Sequence, residues 1–170
     1  EFYAYQSKKP SQKIDTSSLK LIQDKKIINH IDSSGCGNYH LMLVKGLKKI
    51  KNLAFKKRSF IESAGIPLIN PMVDLGNYVM LELGAPMHVF DLAKLVLPIN
   101  VRFPQDKNNS VTVIGGDVKD VQSSSLTIQD QSGTQAIAGI IGGEASSVSS
   151  STSSIAVEAA FFRPEVIVNQ

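Results

Sequence analysis

The sequence predicts an α+β fold, with mixed or antiparallel sheets and flanking helices. Its 170 residues are 42% hydrophobic and 19% charged, a composition typical of an ordinary globular domain. Helical periodicity dominates the chain up to about residue 95, whereas short alternating runs fill residues 98–162. Helices that precede strands, rather than alternate with them, indicate α+β and not repeated βαβ units.

The chain is expected to form a single unit over residues 12–170. Residues 1–11 are polar and contain Pro10, which predicts a linker or the tail of a preceding domain. The sequence has no initiator Met and stops without a closing signal. We therefore expect an excised piece of a longer protein.

The first elements are short strands followed by a helix. Residues 18–22 and 26–31 each hold enough apolar side chains for a strand, and residues 39–44 form a better one because glycines flank them on both sides. Residues 52–64 have the apolar spacing of an amphipathic helix, which Gly65 and Pro67 end.

A second helix follows Pro71. Gly84 is a good residue for its C-terminal stop, and Pro86 prevents the helix from resuming. This pattern predicts that Asn77 projects from the helix and that His88 lies in the turn just past it.

The second half predicts a sheet. Its alternating runs are residues 99–103, 111–114, 126–129, 136–141 and 155–159. The pair Gly115 and Gly116 is typical of a hairpin turn. The serine-rich segment 144–154 resembles a flexible linker in composition. Because a strand pattern stands close on each side, a loop within the sheet is the better interpretation.

Several chemistries are disfavoured by the motifs. The sequence has no GxGxxG phosphate loop and no GxSxG nucleophile elbow. His30, His40, His88 and Cys36 show no compact ligand spacing, so no metal site is expected. Cys36 is the single cysteine and is interpreted as a small buried thiol in a reducing, cytoplasmic protein. No apolar run is long enough for a membrane helix.

Basic residues are concentrated in one segment. The formal charge of +3 and pI of about 9.0 are only mildly basic. Residues 45–58, however, carry seven basic side chains and no acidic one. This run is either a solvated helix face or a patch that contacts phosphates.

Three polar residues remain as candidates for chemistry: Asn77, His88 and Glu158. Glu158 lies within the apolar run 155–160. A carboxylate there either faces solvent by alternation or occupies a pocket with a specific partner. Periodicity alone favours solvent.

Several ordered motifs resemble the bacterial phenylalanyl-tRNA synthetase beta subunit. The most specific is VDLGNYVMLELGAPMHVFD at 73–91, which matches VD-x-x-NYV-x-x-E-x-G-x-P-x-H-x-FD. The later matches are INVR at 99–102, IQD at 128–130, AIAGIIGGEASSV at 136–148, Thr152, and IAVEAAFF at 155–162. The likeness runs from about Cys36 to the C-terminus.

The resemblance implies the central editing module of that subunit, with a substrate pocket at the junction of sheets and helices. In the family this pocket hydrolyses tyrosine from Tyr-tRNA(Phe). The matching positions implied for the site are His88 as the catalytic or positioning residue and Glu158, Asn77, Gly142, Gly143 and Gly76 as substrate-binding residues. Glu158 aligns with the glutamate that accepts a hydrogen bond from the tyrosine hydroxyl, which reverses the solvent-facing interpretation.

The resemblance also implies partners and no cofactor for this domain. The partners would be the acceptor end of tRNA(Phe), the synthetase alpha subunit and the rest of the beta subunit, with no membrane. ATP and Mg²⁺ are implied for the whole synthetase only. Two positions depart from the family pattern: Gly76 replaces a threonine, and Cys36-Gly-Asn-Tyr39 replaces Cys-Pro-Arg-Tyr. The alternative is a structural or tRNA-docking domain without hydrolysis.

Overall fold

The fold is described by a computed structural model over residues 24–48, 51–105 and 109–168. Its strands are β1 (Ile28–Ile31), β2 (Cys36–Lys45), β3 (Met87–Asp91), β4 (Ile99–Arg102), β5 (Asn109–Thr112), β6 (Val118–Val121), β7 (Thr127–Asp130), β8 (Gly133–Ile137), β9 (Ile141–Gly142) and β10 (Ser154–Phe162). The helices are α1 (Phe55–Ser63), α2 (Pro71–Leu83) and α3 (Pro164–Ile167), and a short 3-10 helix spans Leu92–Lys94. The predicted α+β class is confirmed. The predicted linker at 1–11 and strand at 18–22 lie outside the described residues.

The strands form two main sheets and a hairpin. The larger sheet has the order β1-β4-β7-β8-β9, the smaller has the order β2-β10-β3, and β5 pairs with β6. Within the larger sheet only β1 and β4 pair in parallel. The main core contains Tyr39, Phe90 and Ala156 of the smaller sheet together with Val101 and Ile128 of the larger one. The core therefore joins the two sheets.

Helix α2 begins and ends where its sequence predicts. The Asn70 side chain accepts hydrogen bonds from the backbone N–H groups of Met72 and Val73, and Pro71 occupies the first turn, as expected at a helix N-terminus. Gly84 adopts φ +70° and donates its N–H to the carbonyl of Met80, which closes the C-terminus in the left-handed conformation that glycine tolerates best. Strand β3 begins three residues later, at Met87.

The prediction that His88 lies in a turn is wrong. His88 is the second residue of β3, which pairs antiparallel with β10 from Met87↔Ala159 to Asp91↔Ile155. The local sequence gives a clear helix stop, but the strand forms because a partner about seventy residues later supplies its hydrogen bonds. Such pairing is not encoded near the residue itself.

The single strand predicted for 136–141 is also wrong, because the chain turns inside it. Gly139 adopts φ +72°, and Ile140 donates its backbone N–H to the carbonyl of Ile137. Strands β8 and β9 then pair antiparallel through Ile137↔Ile141. The turn thereby pairs Gly142 with Ala136 in the larger sheet. The hairpin turn predicted at Gly115 and Gly116 is confirmed, and its second strand β6 was not predicted.

The serine-rich segment is a loop, as predicted, but it does not lie within one sheet, because it connects β9 of the larger sheet to β10 of the smaller one. Thr152 donates its hydroxyl to the Asp91 carboxylate at 2.7 Å, and the Ser149 backbone N–H donates to the Thr152 hydroxyl. The Ser147 residue forms an isolated bridge with Phe90. The contacts to Asp91 and Phe90 hold the loop against β3.

Candidate functional site

A cavity of about 370 Å³ is lined by residues of both main sheets and by Ile167 of α3. Most of its wall is apolar, with Ile128, Ile141 and Phe162 among the contributing side chains. Two polar side chains, His88 and Glu158, also line it. An apolar cavity with a few converging polar groups is the usual form of a small-molecule site.

His88 and Glu158 are neighbours because of strand register. Glu158 on β10 is paired directly with His88 on β3, and side chains at paired positions project from the same face of a sheet. Glu158 is only 5% exposed. The solvent-facing interpretation from periodicity alone is therefore wrong, since the second sheet covers the face that carries Glu158.

The carboxyl group of Glu158 has a partner inside the protein. The Tyr39 hydroxyl donates to Glu158 Oε2 at 2.9 Å, and Tyr39 is itself 5% exposed. Burial raises the pKa of Glu158 to about 7, while the hydrogen bond from Tyr39 acts in the opposite direction. Burial and the adjacent Glu158 raise the pKa of Tyr39 well above its usual range, so its hydroxyl remains a donor.

The imidazole of His88 has an unsatisfied atom. Its Nε2 is buried and has no hydrogen-bond partner among the described residues. The ring packs edge-on against Phe90 with 4.4 Å between centroids. Burial lowers the pKa of His88 to about 4, so the ring is neutral at physiological pH. A buried unpartnered nitrogen is costly unless a ligand or water satisfies it.

Gly142 lets the His88 ring approach the backbone. A methyl group added at Gly142 would overlap His88 Cε1 and lie 2.8 Å from Nε2. Only glycine fits there without moving the ring. Gly143 is close-packed for a different reason, because its N–H donates to the Gln135 carbonyl at 2.7 Å. Gly143 is not among the residues that line the cavity.

Asn77 and Gly76 lie on α2, away from the cavity wall. Neither is among its lining residues, and open space surrounds the Cβ position of Gly76. The structure thus brings His88, Glu158 and Gly142 to one cavity and leaves Asn77, Gly76 and Gly143 off its wall. Substrate contact by any of these six residues stays a prediction.

Tyr39 is the site residue that sequence reasoning missed. The signal was present in two parts: an aromatic residue in the alternating run 39–44, and a carboxylate within an apolar strand that requires a buried donor. Nothing in the sequence links the two, because the contact spans 119 residues. Cys36 is buried as predicted, and burial raises its thiol pKa to about 11.

The basic run lies partly on α1. Lys56, Lys57 and Arg58 are within this helix, and Lys57 Nζ lies 4.4 Å from the ring centroid of Tyr78 on α2. Residues 49–50 lie outside the described part of the chain. In the described ranges, no three His, Cys, Asp or Glu side chains group as a metal site would. No described helix is long and apolar enough to cross a membrane.

Comparison with known proteins identifies the family. A family model described as the B3/4 domain matches residues 35–170. The chain belongs to the B3/4 domain family. This B3/4 domain is 40% identical over 153 residues to the phenylalanine–tRNA ligase beta subunit of Mannheimia succiniciproducens, a match that covers 89% of the chain and 19% of that protein.

Other relatives of this B3/4 domain carry the same name. The beta subunit of Haemophilus influenzae is 38% identical over 149 residues, covering 88% of the chain and 19% of that protein. The chain spans about a fifth of the length of these curated relatives. The fold resembles an N-terminal fragment of the phenylalanyl-tRNA synthetase beta subunit from Pyrococcus horikoshii, with a TM-score of 0.58 and 14% identity over 81% of this chain and 44% of that one. At this identity the likeness concerns the fold alone.

Proposed function

We propose that this B3/4 domain hydrolyses tyrosine from mischarged Tyr-tRNA(Phe) as part of a phenylalanine–tRNA ligase. The observation that carries the proposal is the pairing of His88 with Glu158 on the wall of one apolar cavity of about 370 Å³. Cavities of roughly 300–1,000 Å³ are the normal size for small-molecule sites. The family membership and the names of the relatives support an amino-acid ester as the ligand of this cavity.

The need for such a site follows from the limits of a single binding pocket. A synthetic site shaped for phenylalanine rejects an isostere with one added hydroxyl by only about a hundredfold, so a second sieve is required. Glu158 supplies the opposite preference, because a buried carboxylate accepts a hydrogen bond from the tyrosine hydroxyl. Phenylalanine would leave that carboxylate without this bond, at a cost of about 1–3 kcal/mol. Correctly charged Phe-tRNA(Phe) is thereby spared.

The reaction is the hydrolysis of an aminoacyl ester. A water oxygen bonds to the carbonyl carbon and the water gives up a proton, the bond from that carbon to the ribose oxygen breaks, and the ribose oxygen takes up a proton, so that free tyrosine and the ribose hydroxyl result. A general base works best when its pKa lies near the operating pH. Since burial lowers the pKa of His88 to about 4, its neutral ring is a poor base and suits the role of a hydrogen-bonding group that positions the ester or the water.

The remaining partners follow from the larger enzyme. The substrate is presented on the acceptor end of tRNA(Phe), and the alpha subunit and the rest of the beta subunit complete the ligase. ATP and Mg²⁺ serve its aminoacylation reaction and have no role in this cavity. We place the enzyme in the cytoplasm, where tRNA is charged.

The proposal is tested by incubating Tyr-tRNA(Phe) with the whole ligase and, separately, with the 170-residue chain. We expect the ligase to release tyrosine above the uncatalysed rate, with Phe-tRNA(Phe) hydrolysed more slowly. Binding of the tRNA with no release of tyrosine by the whole ligase would contradict the proposal and support the docking alternative.

A further inference from the structure

Tyr39 and Glu158 are diagonal neighbours on the cavity face of the smaller sheet. Tyr39 is paired with Ala160, and Glu158 is paired with Leu41, across the antiparallel strands β2 and β10. Diagonal pairs of this kind are within reach when one side chain is a long aromatic. The tyrosine hydroxyl meets Glu158 Oε2 at 2.9 Å, with both residues buried. Among the described residues, Tyr39 alone donates a hydrogen bond to the Glu158 carboxyl group.

We infer that Tyr39 is a positioning residue for substrate discrimination: it holds one oxygen of Glu158 and so presents the other oxygen to the hydroxyl of a tyrosyl ester. The inference rests on the proposed function and adds a residue to it. Tyr39 is not among the residues that line the cavity, whereas Glu158 is. Tyr39 therefore acts through Glu158, from behind it.

The two oxygens of the Glu158 carboxyl group have different partners: Oε2 accepts from Tyr39, and Oε1 is left for the phenol of a tyrosyl ester. A carboxylate can accept hydrogen bonds on both oxygens, whereas a phenol donates a single proton. With Oε2 occupied by Tyr39, the plane of the carboxyl group is fixed and Oε1 remains as the acceptor for a ligand. A substrate phenylalanine offers no donor to Oε1, so the fixed orientation adds nothing for that ester.

Tyr39 also favours the ionised form of Glu158, which is the form that binds the substrate hydroxyl. The ionised carboxylate accepts a phenol hydrogen bond more strongly than the neutral acid does. Burial raises the pKa of Glu158 to about 7 and the Tyr39 hydrogen bond opposes that rise. The other titratable groups that face Glu158 are Cys36 on β2 and His88 on β3, while the larger sheet and α3 contribute apolar side chains and backbone to the cavity. Loss of the Tyr39 hydroxyl should therefore leave more of Glu158 protonated near pH 7.

The test compares Tyr39→Phe with Tyr78→Phe in the whole ligase. Tyr78 is a matched control, because its hydroxyl donates to the Glu82 carboxylate at 3.2 Å on the exposed side of α2. Rates of release of tyrosine and of phenylalanine are measured from pH 6 to 8.5, with uncatalysed hydrolysis subtracted. A hydrogen bond to a charged group is worth about ten- to a hundredfold in rate, so we expect Tyr39→Phe to lower tyrosine release by about that factor at pH 7.

The pH profile separates positioning from a merely structural role. We expect the loss in Tyr39→Phe to shrink as the pH rises, the preference for tyrosine over phenylalanine to fall, and Tyr78→Phe to match the unmodified enzyme. An unchanged rate and preference, or an equal loss at every pH and for both esters, would overturn the inference.

A second readout does not depend on hydrolysis. The titration midpoint of the Glu158 side-chain carboxyl is followed by ¹³C NMR in the 170-residue chain and in its Tyr39→Phe variant. We expect a higher midpoint in the variant, and no shift would overturn the inference. If the unmodified ligase releases no tyrosine, the proposed editing function fails, and this titration still decides whether Tyr39 controls Glu158.

Discussion

His88 on β3 and Glu158 on β10 are direct register partners whose side chains line the same cavity. Burial disfavours the charged form of both groups, lowering the pKa of His88 to about 4 and raising that of Glu158 to about 7. At neutral pH the cavity therefore holds a neutral imidazole beside a carboxyl group that is close to its midpoint. These opposite shifts make opposite contributions to the pH dependence of stability, which single substitutions can separate.

The Glu158→Gln variant should gain stability relative to the unmodified chain as the pH rises. The folded pKa of Glu158 is about 7, against 4.5 for an ordinary glutamate. The folded state thus favours the proton, and this stabilisation is fully present below about 4.5 and lost as the pH rises through 7. Two and a half pKa units correspond to up to about 3 kcal/mol. Urea unfolding at pH 4.5 and 7.5 measures the difference, and parallel pH dependences would show that Glu158 does not titrate as proposed.

The His88→Asn variant should show the opposite trend. The folded pKa of His88 is about 4, against 6.5 for an ordinary histidine. The stability that its neutral ring contributes is present above about 6.5 and is lost as the pH falls through 4. The free energy of unfolding of the unmodified chain, relative to His88→Asn, should therefore fall by up to about 3 kcal/mol over that interval. The same unfolding series measures it, and a pH-independent difference would contradict the burial of the ring.

Gly142→Ala should disturb the cavity, whereas Gly76→Ala should stabilise the fold. The new methyl group at position 142 would collide with the His88 ring, and overpacking of this kind typically costs about 1–3 kcal/mol. At Gly76 the helix offers open space, and replacing a mid-helix glycine by alanine contributes roughly 0.5–1 kcal/mol. Thermal unfolding of both variants makes the comparison. An unchanged unfolding midpoint in the Gly142→Ala variant would show that the His88 ring lies elsewhere.

Cys36 should be nearly inert to thiol reagents in the folded chain. Its side chain is 1% exposed and burial raises its pKa to about 11. At pH 8 only about a thousandth of such a thiol is ionised, and the thiolate is the reactive form. Reaction with Ellman's reagent should therefore be slow in buffer. It should be fast in guanidinium at about 6 M, a concentration that unfolds most domains. Equal rates in the two solutions would mean that β2 is not packed as described.

Local features of the fold were predictable, and features that depend on distant strands were not. The limits of α2 follow from Asn70, Pro71 and Gly84 because capping is decided within one turn of the helix. The strand at His88 depends on β10, so local sequence indicated a turn. The burial of Glu158 likewise depends on a second sheet that covers its face, which a period of two cannot reveal.

The parts of the site that could be predicted are the residues to which the family motifs give a role. The resemblance pointed to His88, Glu158 and Gly142, which the fold brings to one cavity. It included Tyr39 in the Cys36–Tyr39 motif but assigned it no role, because the Tyr39 hydroxyl meets Glu158 only through the pairing of β2 and β10 along almost their whole lengths. Asn77 lies in the same motif as His88, yet it belongs to α2, and it is not among the residues that line the cavity.

The most direct test of the central claim is the ratio of tyrosine to phenylalanine release from the two charged forms of tRNA(Phe). It is measured with the unmodified ligase, with Glu158→Ala, and with Glu82→Ala, which removes an exposed carboxylate from α2 as a matched control. We predict that the ratio favours tyrosine in the unmodified enzyme, falls by about tenfold or more in Glu158→Ala, and is unchanged in Glu82→Ala. An unchanged ratio in Glu158→Ala would contradict the assignment of Glu158 as the group that recognises the tyrosine hydroxyl.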